Sequence, residues 1–204
     1  MKTMKLKFKS LALVALVFAA VFAVSCEKED DMFAEQQSYS SDVELKKGRA
    51  LAPSDKSIAT IAGEAGFTEL VGALVYVDNN IMPSPGLVNL FSNGTDQYTV
   101  FAPTNKAFQD LYGSLGVSGI TDLPAELVLN VLLYHVVEGR RAANSVVPPV
   151  KDRIIETLLG TSFSVSSAGM ITAVGNTANI VSPNISASNG IIHVIDAVIL
   201  PIVP

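Results

Sequence analysis

Cysteine is nearly absent from this chain of 204 residues: Cys26 stands alone. An internal disulfide is therefore excluded, and the fold must be held by its core. Histidine is almost as scarce, with only His135 and His193. Two imidazoles and one thiol fall short of a zinc ligand set, so no metal site is expected. No Gly-x-Ser-x-Gly elbow marks a hydrolase nucleophile. No glycine-rich phosphate loop or dinucleotide fingerprint precedes a helix, so no cofactor is expected. These gaps point away from an enzyme, and no catalytic residue is assigned. Basic charge is scarce as well once the start of the chain is passed. Lys2, Lys5, Lys7 and Lys9 lie in the first 25 residues; removing them from the 14 basic residues leaves 10 against 19 acidic ones. That balance excludes a nucleic-acid partner, which requires a basic footprint.

What the chain does have is apolar residues, 49% of the total, enough for a sizeable core. The stretch 1–25 reads as a secretory signal: four lysines, then the unbroken apolar run Leu11–Val24. That run is 14 residues long, short of the ~20 that a membrane-spanning helix needs. It ends at Val24-Ser25-Cys26, which resembles a bacterial lipobox. The resemblance implies cleavage before Cys26 and lipid attachment to it. Acyl chains contribute about 0.8 kcal/mol of membrane affinity per buried CH₂, so several of them anchor firmly. Glu27-Lys28-Glu29-Asp30-Asp31 follows, and resembles the surface-export signal of Bacteroidetes lipoproteins; the alternative is an ordinary charged linker. Residues 26–53 have no helical or strand period and read as a disordered acidic and polar tether. Residues 54–204 form the domain.

Within the domain, Ile58, Ile61 and Ala62, then Leu70, Val71, Leu74 and Val75, repeat with helical spacing. Gly66 divides the two helices, with Asp55, Ser57 and Thr68 as available caps. Asp78 to Gln97 holds Pro83, Pro85, Gly86, Asn93 and Gly94, and reads as a long loop. Loops carry variable recognition, which makes it a candidate recognition surface. Tyr98 to Phe101 suits a strand that Pro103 must end. Thr104 or Asn105 can cap a helix carrying Ala107, Phe108 and Leu111 on one face. Asp122, Pro124 and Glu126 open another helix, with Leu127, Val128, Val131 and Leu132 as its stripe. From Arg153 onward, short β-prone runs alternate with glycine and asparagine turns, as in an antiparallel meander. Helices followed by strands predict an α+β domain.

Three stretches carry a resemblance to a known family. They are Tyr-Thr-Val-Phe-Ala-Pro-Thr-Asn-Lys-Ala-Phe (98–108), Val-Leu-Leu-Tyr-His-Val-Val (131–137) and Asn-Gly-Ile-Ile-His-Val-Ile-Asp-Ala-Val-Ile-Leu-Pro (189–201). In this order they resemble the signatures of the fasciclin-like domain. The resemblance covers roughly Ser54 to Pro201. It implies a β-wedge of two sheets with packed short helices, and a single such module.

It also implies where a partner touches. In animal relatives the Tyr-His region and a Glu-Pro-Asp-Ile-Met segment are tied to integrin adhesion. Their counterparts here are Tyr134-His135 and Ser182-Pro183-Asn184-Ile185-Ser186, which has lost both acids. Tyr134, His135, Pro183, Asn184 and Ile185 are therefore the candidate binding residues, although integrin itself would lack its carboxylate. On the residues alone, Tyr134 reads as a half-buried anchor, and both histidines as buried groups bonded to their neighbours. The expected function is a non-enzymatic adhesion or binding module, monomeric and lipid-anchored in the cell envelope. The expected location is the outer membrane, with exposure at the surface. Its partner would be an extracellular protein or glycan. The alternatives are an accessory envelope subunit bound to another membrane protein, and a small-ligand carrier or enzyme.

Overall fold

The computed structural model describes residues 52–82 and 84–202. The signal, Cys26 and most of the tether lie outside the described residues. Ser57 opens the first helix, α1 (Ile58–Glu64), its Oγ accepting the amide of Thr60 at 3.3 Å. Gly66, at φ 76°, turns the chain into α2 (Thr68–Asn80). Thr68 does not cap this helix. Asn105 does so from a distance, its Oδ1 accepting Glu69 N–H at 3.1 Å while its Nδ2 donates to Gly66 O at 2.8 Å.

The expected loop from Asp78 to Gln97 is a correction. Asp78 to Asn80 is the end of α2, and a third helix, α3 (Leu87–Asn93), fills much of the remainder. Asp78 itself starts α3: its carboxylate oxygens accept Leu87 N–H at 2.7 Å and Val88 N–H at 2.8 Å. An added Cβ on Gly86 would sit 2.3 Å from that carboxylate carbon, so only glycine leaves room for the cap.

Strand β1 (Tyr98–Pro103) ends at its proline, and Thr104 caps α4 (Asn105–Leu115) through a bond from Ala107 N–H at 3.2 Å. A 3-10 turn at Ile120–Asp122 leads to α5 (Ala125–Tyr134) and β2 (Val136–Glu138). A single-turn helix, α6 (Ala143–Val146), precedes the meander. Its strands are β3 (Arg153–Glu156), β4 (Ser162–Val165), β5 (Met170–Thr172), β6 (Thr177–Ala187) and β7 (Gly190–Ile195).

The strands hydrogen-bond in the order β2-β1-β7-β6-β5-β4-β3. The two sheets share β6, so the wedge is one ribbon of seven strands that curls on itself. Phe101 of β1 meets Phe163 of β4 edge to face at 5.1 Å, although three strands separate them in the sheet order. Neighbours pair antiparallel with one exception: β1 and β7 run parallel, Tyr98 opposite Gly190 through Pro103 opposite Ile195. Every residue of both strands is buried, as expected of strands covered on two faces.

Two cores result. Val100, Ala102, Ile192 and Val194 face a layer built by α1 to α5. Phe101, Tyr134, Phe163, Ile171 and Ile195 fill the inside of the curl. Each fully buried aliphatic or aromatic side chain contributes about 1.5–3 kcal/mol.

Asn189 and Gly190 tie the layers together. Asn189 Oδ1 accepts Ile58 N–H at 2.9 Å, and its Nδ2 donates to Phe91 O at 3.0 Å, joining α1 and α3 to the β6–β7 turn. A Cβ on Gly190 would lie 2.1 Å from Tyr98 O, so the close parallel pairing depends on glycine there.

Candidate functional site

The candidate segment Ser182–Ser186 has the composition of a turn. Strand β6 instead runs through it, with register shifts between Ile180 and Ser182 and between Ser182 and Ile185. Pro183 has no N–H to give a ladder, which suits a bulge. Asn184 follows with φ 67°, the one non-glycine residue of positive φ recorded among the described residues. Asparagine tolerates this left-handed conformation better than most residues.

Three bonds hold the bulge. Asn184 N–H donates to His193 Nδ1 at 3.2 Å, and His193 Nε2 bonds to Arg141 O at 2.9 Å. Because Nδ1 accepts, the proton must sit on Nε2, which donates. Asn184 Oδ1 accepts Ala143 N–H at 2.7 Å, at the start of α6. The bulge is thus clamped to the connection Gly139–Asn144. Arg140 strengthens that clamp: its guanidinium donates to Ala187 O at 2.8 Å, to Gly190 O and to Ser186 Oγ. Thr99 completes it, donating through Oγ1 to Gly139 O at 2.6 Å and accepting Arg141 N–H at 2.8 Å.

Pro183, Asn184 and Ile185 are half-buried, and Val181 beside them is 51% exposed. Together they form a partly exposed ledge on β6, held by the bonds above. Tyr134 and His135 do not reach it as contact groups. Tyr134 is fully buried rather than half-buried, its hydroxyl donating to Ser162 O at 3.0 Å inside the curl. His135 closes the end of α5: Nδ1 donates to Val131 O at 2.7 Å, while Nε2 accepts Ile199 N–H at 3.0 Å. Burial pushes its pKa down to about 4, opposed by the bond to Val131 O. His193 is shifted the same way by burial, opposed by its bond to Arg141 O. Both imidazoles are neutral at pH 7 and have both nitrogens engaged, which leaves neither lone pair for a nucleophile or an ion.

The sequence reading missed Arg140, Thr99, Ala143 and Asn189, whose roles depend on partners 40 to more than 100 residues away. Asp196, within the third signature, serves the sheet. Its two oxygens accept Asn179 N–H at 2.6 Å and Asn179 Nδ2 at 2.9 Å.

Comparisons with known proteins agree with this geometry. The Fasciclin domain family model matches residues 65–201. The chain is 35% identical over 135 residues to the immunogenic protein MPB70 of Mycobacterium bovis, an alignment covering 65% of this chain and 64% of MPB70. It is 33% identical over 144 residues to protein sll1483 of Synechocystis, covering 71% and 72% of the two chains. It is also 31% identical over 125 residues to the cell surface glycolipoprotein MPB83 of Mycobacterium bovis, spanning 61% of this chain and about half, 52%, of MPB83. Among solved structures, the FAS1 domain pair of the insect cell adhesion molecule Fasciclin I superposes with a TM-score of 0.56 at 18% identity, over 72% of this chain and 51% of that one. This last likeness establishes shared fold alone. The named relatives include cell-surface and adhesion proteins. With three signatures in order, a curled seven-strand wedge and a family match over most of its length, the chain belongs to the fasciclin domain family.

Proposed function

We propose that this protein is a non-enzymatic adhesion or binding module of the cell envelope. It is held to the membrane by lipid on Cys26, and meets an extracellular protein or glycan through the Val181–Ile185 ledge. The observation that carries the reading is the ledge itself. A left-handed asparagine is fixed by a buried histidine, and a guanidinium braces the same hairpin, beside side chains left partly exposed. Backbone held this firmly off the regular strand costs on the order of 1–3 kcal/mol, and such strain gathers at functional sites. A prearranged ledge of this kind lowers the ordering cost of binding.

The test is capture from an envelope extract and a glycan panel, with residues 27–204 as bait. The expected result is a retained partner whose capture falls at least tenfold in Val181→Glu, a change at an exposed position that leaves the core intact. Retention of nothing, together with hydrolytic turnover that disappears on changing His135, would overturn the proposal. The anchor has its own test: Cys26→Ser should abolish labelling by fatty acid and release the protein from the membrane fraction. Unchanged labelling would refute it.

A further inference from the structure

The bonds that clamp the ledge also bring positive charge to one end of it. His193 Nε2 holds Arg141 O, and Asn184 Oδ1 takes Ala143 N–H at 2.7 Å. The connection carrying Arg141 and the one-turn helix α6 therefore lies directly against Asn184. Arg153 reaches the same helix from β3, its Nη1 donating to Asn144 O and Ser145 O. Both arginines are half-buried. Lys56 and Lys106 are neutralised by Glu64 at 2.6 Å and by Asp110 at 2.8 Å. Among the described residues no carboxylate pairs with Arg141 or Arg153. Lys151 and Asp152, both exposed, follow in the same connection and offset each other.

The other end of the ledge is aliphatic. Val181 is 51% exposed and Met170, on the neighbouring strand β5, is 42% exposed. Met170 stands opposite Asn179, two residues before Val181 on the same face of β6, which makes Met170 and Val181 diagonal neighbours about 7–8 Å apart. The carboxylate at this end, Asp196, is already taken up by Asn179. Between the two ends the polar groups are largely spent inside the protein. Asn184 N–H goes to His193 and its Oδ1 to Ala143, while Ser186 Oγ bonds Ala52 O and the Arg140 guanidinium. No aromatic side chain is exposed among the described residues, so the flat apolar platform on which a sugar ring would stack is missing there.

We infer that the partner of the ledge is an acidic protein segment, its carboxylates facing Arg141 and Arg153 and its aliphatic side chains packing on Val181 and Met170. The inference rests on the reading of the ledge as the binding surface, and names the class of partner. A guanidinium presents a planar fork that matches a carboxylate. Partial burial strengthens that attraction, because a half-buried charge is screened less than an exposed one. Charge at one end and apolar area at the other also fix the direction in which the segment lies, acid over α6 and aliphatic over β5. The chain as a whole is acidic, with a formal net charge of −5, so a basic rim beside the ledge sets this place apart for an acidic partner.

The test selects a displayed library of random peptides on the full chain carrying Cys26→Ser, then titrates the enriched peptides with methyl NMR as the readout. Enriched sequences should combine Asp or Glu with Val, Ile or Leu, and should shift the methyl signals of Val181 and Met170. Affinity should fall at least tenfold in Arg141→Glu, whose backbone bonds to Thr99 and His193 do not depend on its side chain. It should fall at least threefold in Val181→Ser, and on raising the salt well above physiological strength. Enrichment of basic or neutral peptides, no enrichment at all, or unchanged affinity in folded Arg141→Glu would overturn the inference. Capture from the envelope extract separates the two readings. A glycan retained there through the ledge, or a protein whose capture falls in Val181→Glu but not in Arg141→Glu, would keep the ledge as the binding surface and overturn the acidic partner.

Discussion

The imidazole of His135 and the amide of Ile199 lie 64 positions apart and meet at 3.0 Å. This bond joins the end of α5 to the strap that leaves β7, and works only while the imidazole is neutral. An isolated histidine titrates near 6.5, whereas burial here pulls the value down to about 4. The folded state thus prefers the neutral ring. Its contribution is complete above pH ~6.5 and is lost as pH falls toward about 4, amounting to about 3 kcal/mol at 1.36 kcal/mol per pKa unit. Urea midpoints between pH 7 and pH 4 should fall steeply in the native chain. In His135→Gln the neutral stability should be lower by about 2–4 kcal/mol and the slope over that pH range shallower.

Asn184 should be the least replaceable residue of the ledge. Asn184→Ala loses the bond to Ala143 N–H and puts in the left-handed region a residue that tolerates it less well than asparagine, a cost of about 1–3 kcal/mol. Asn184→Gly keeps the backbone freedom and should recover about 1 kcal/mol of that loss. Equal destabilisation of the two variants in chemical denaturation would contradict the conformational argument.

Gly190→Ala should be severe. The new methyl would sit 2.1 Å from Tyr98 O and 2.7 Å from Ile58 Cδ1, and the backbone contact has no flexible end to yield. A loss of about 3 kcal/mol or more is expected, in the range of strongly overpacked cores. Asn189→Ala, which orphans Ile58 N–H and Phe91 O, should cost a comparable 2–4 kcal/mol. Thermal unfolding of both variants checks this.

Asp78→Ala should unravel α3 selectively. Two amides at the start of that helix lose their acceptor, a cost of about 1–2 kcal/mol for a cap. Hydrogen exchange should quicken at Leu87 and Val88 while β1 and β7 stay protected.

These sites also show what was readable in advance. Pro103 and Thr104 announced the end of β1 and the start of α4, because their chemistry is local. The third signature marked Asn189-Gly190 as a turn, but nothing nearby revealed that Asn189 reaches α1 and α3. Helix α3 was hidden because its cap, Asp78, lies nine residues upstream and its sequence is flanked by glycine and proline. The length of β6 was not legible because Ser182-Pro183-Asn184 has turn composition; His193 and Ala143 keep it in the sheet. Tyr134 reads from sequence as a half-buried anchor, yet it is fully buried, because its hydroxyl finds Ser162 O inside the curl. The parallel partnership of β1 with β7 was invisible, since about 90 residues separate them.

That partnership governs when the molecule can become itself. β7 is the last strand among the described residues, yet it lies between β1 and β6. Until Gly190–Ile195 has emerged, β1 has no neighbour on that side and the helical layer has only half a floor. Such distant closure slows folding, because the loop entropy must be overcome before the contact rewards it. The nascent domain therefore stays open until residues 190–195 are available, and only then can its two cores close around the β1–β7 pair.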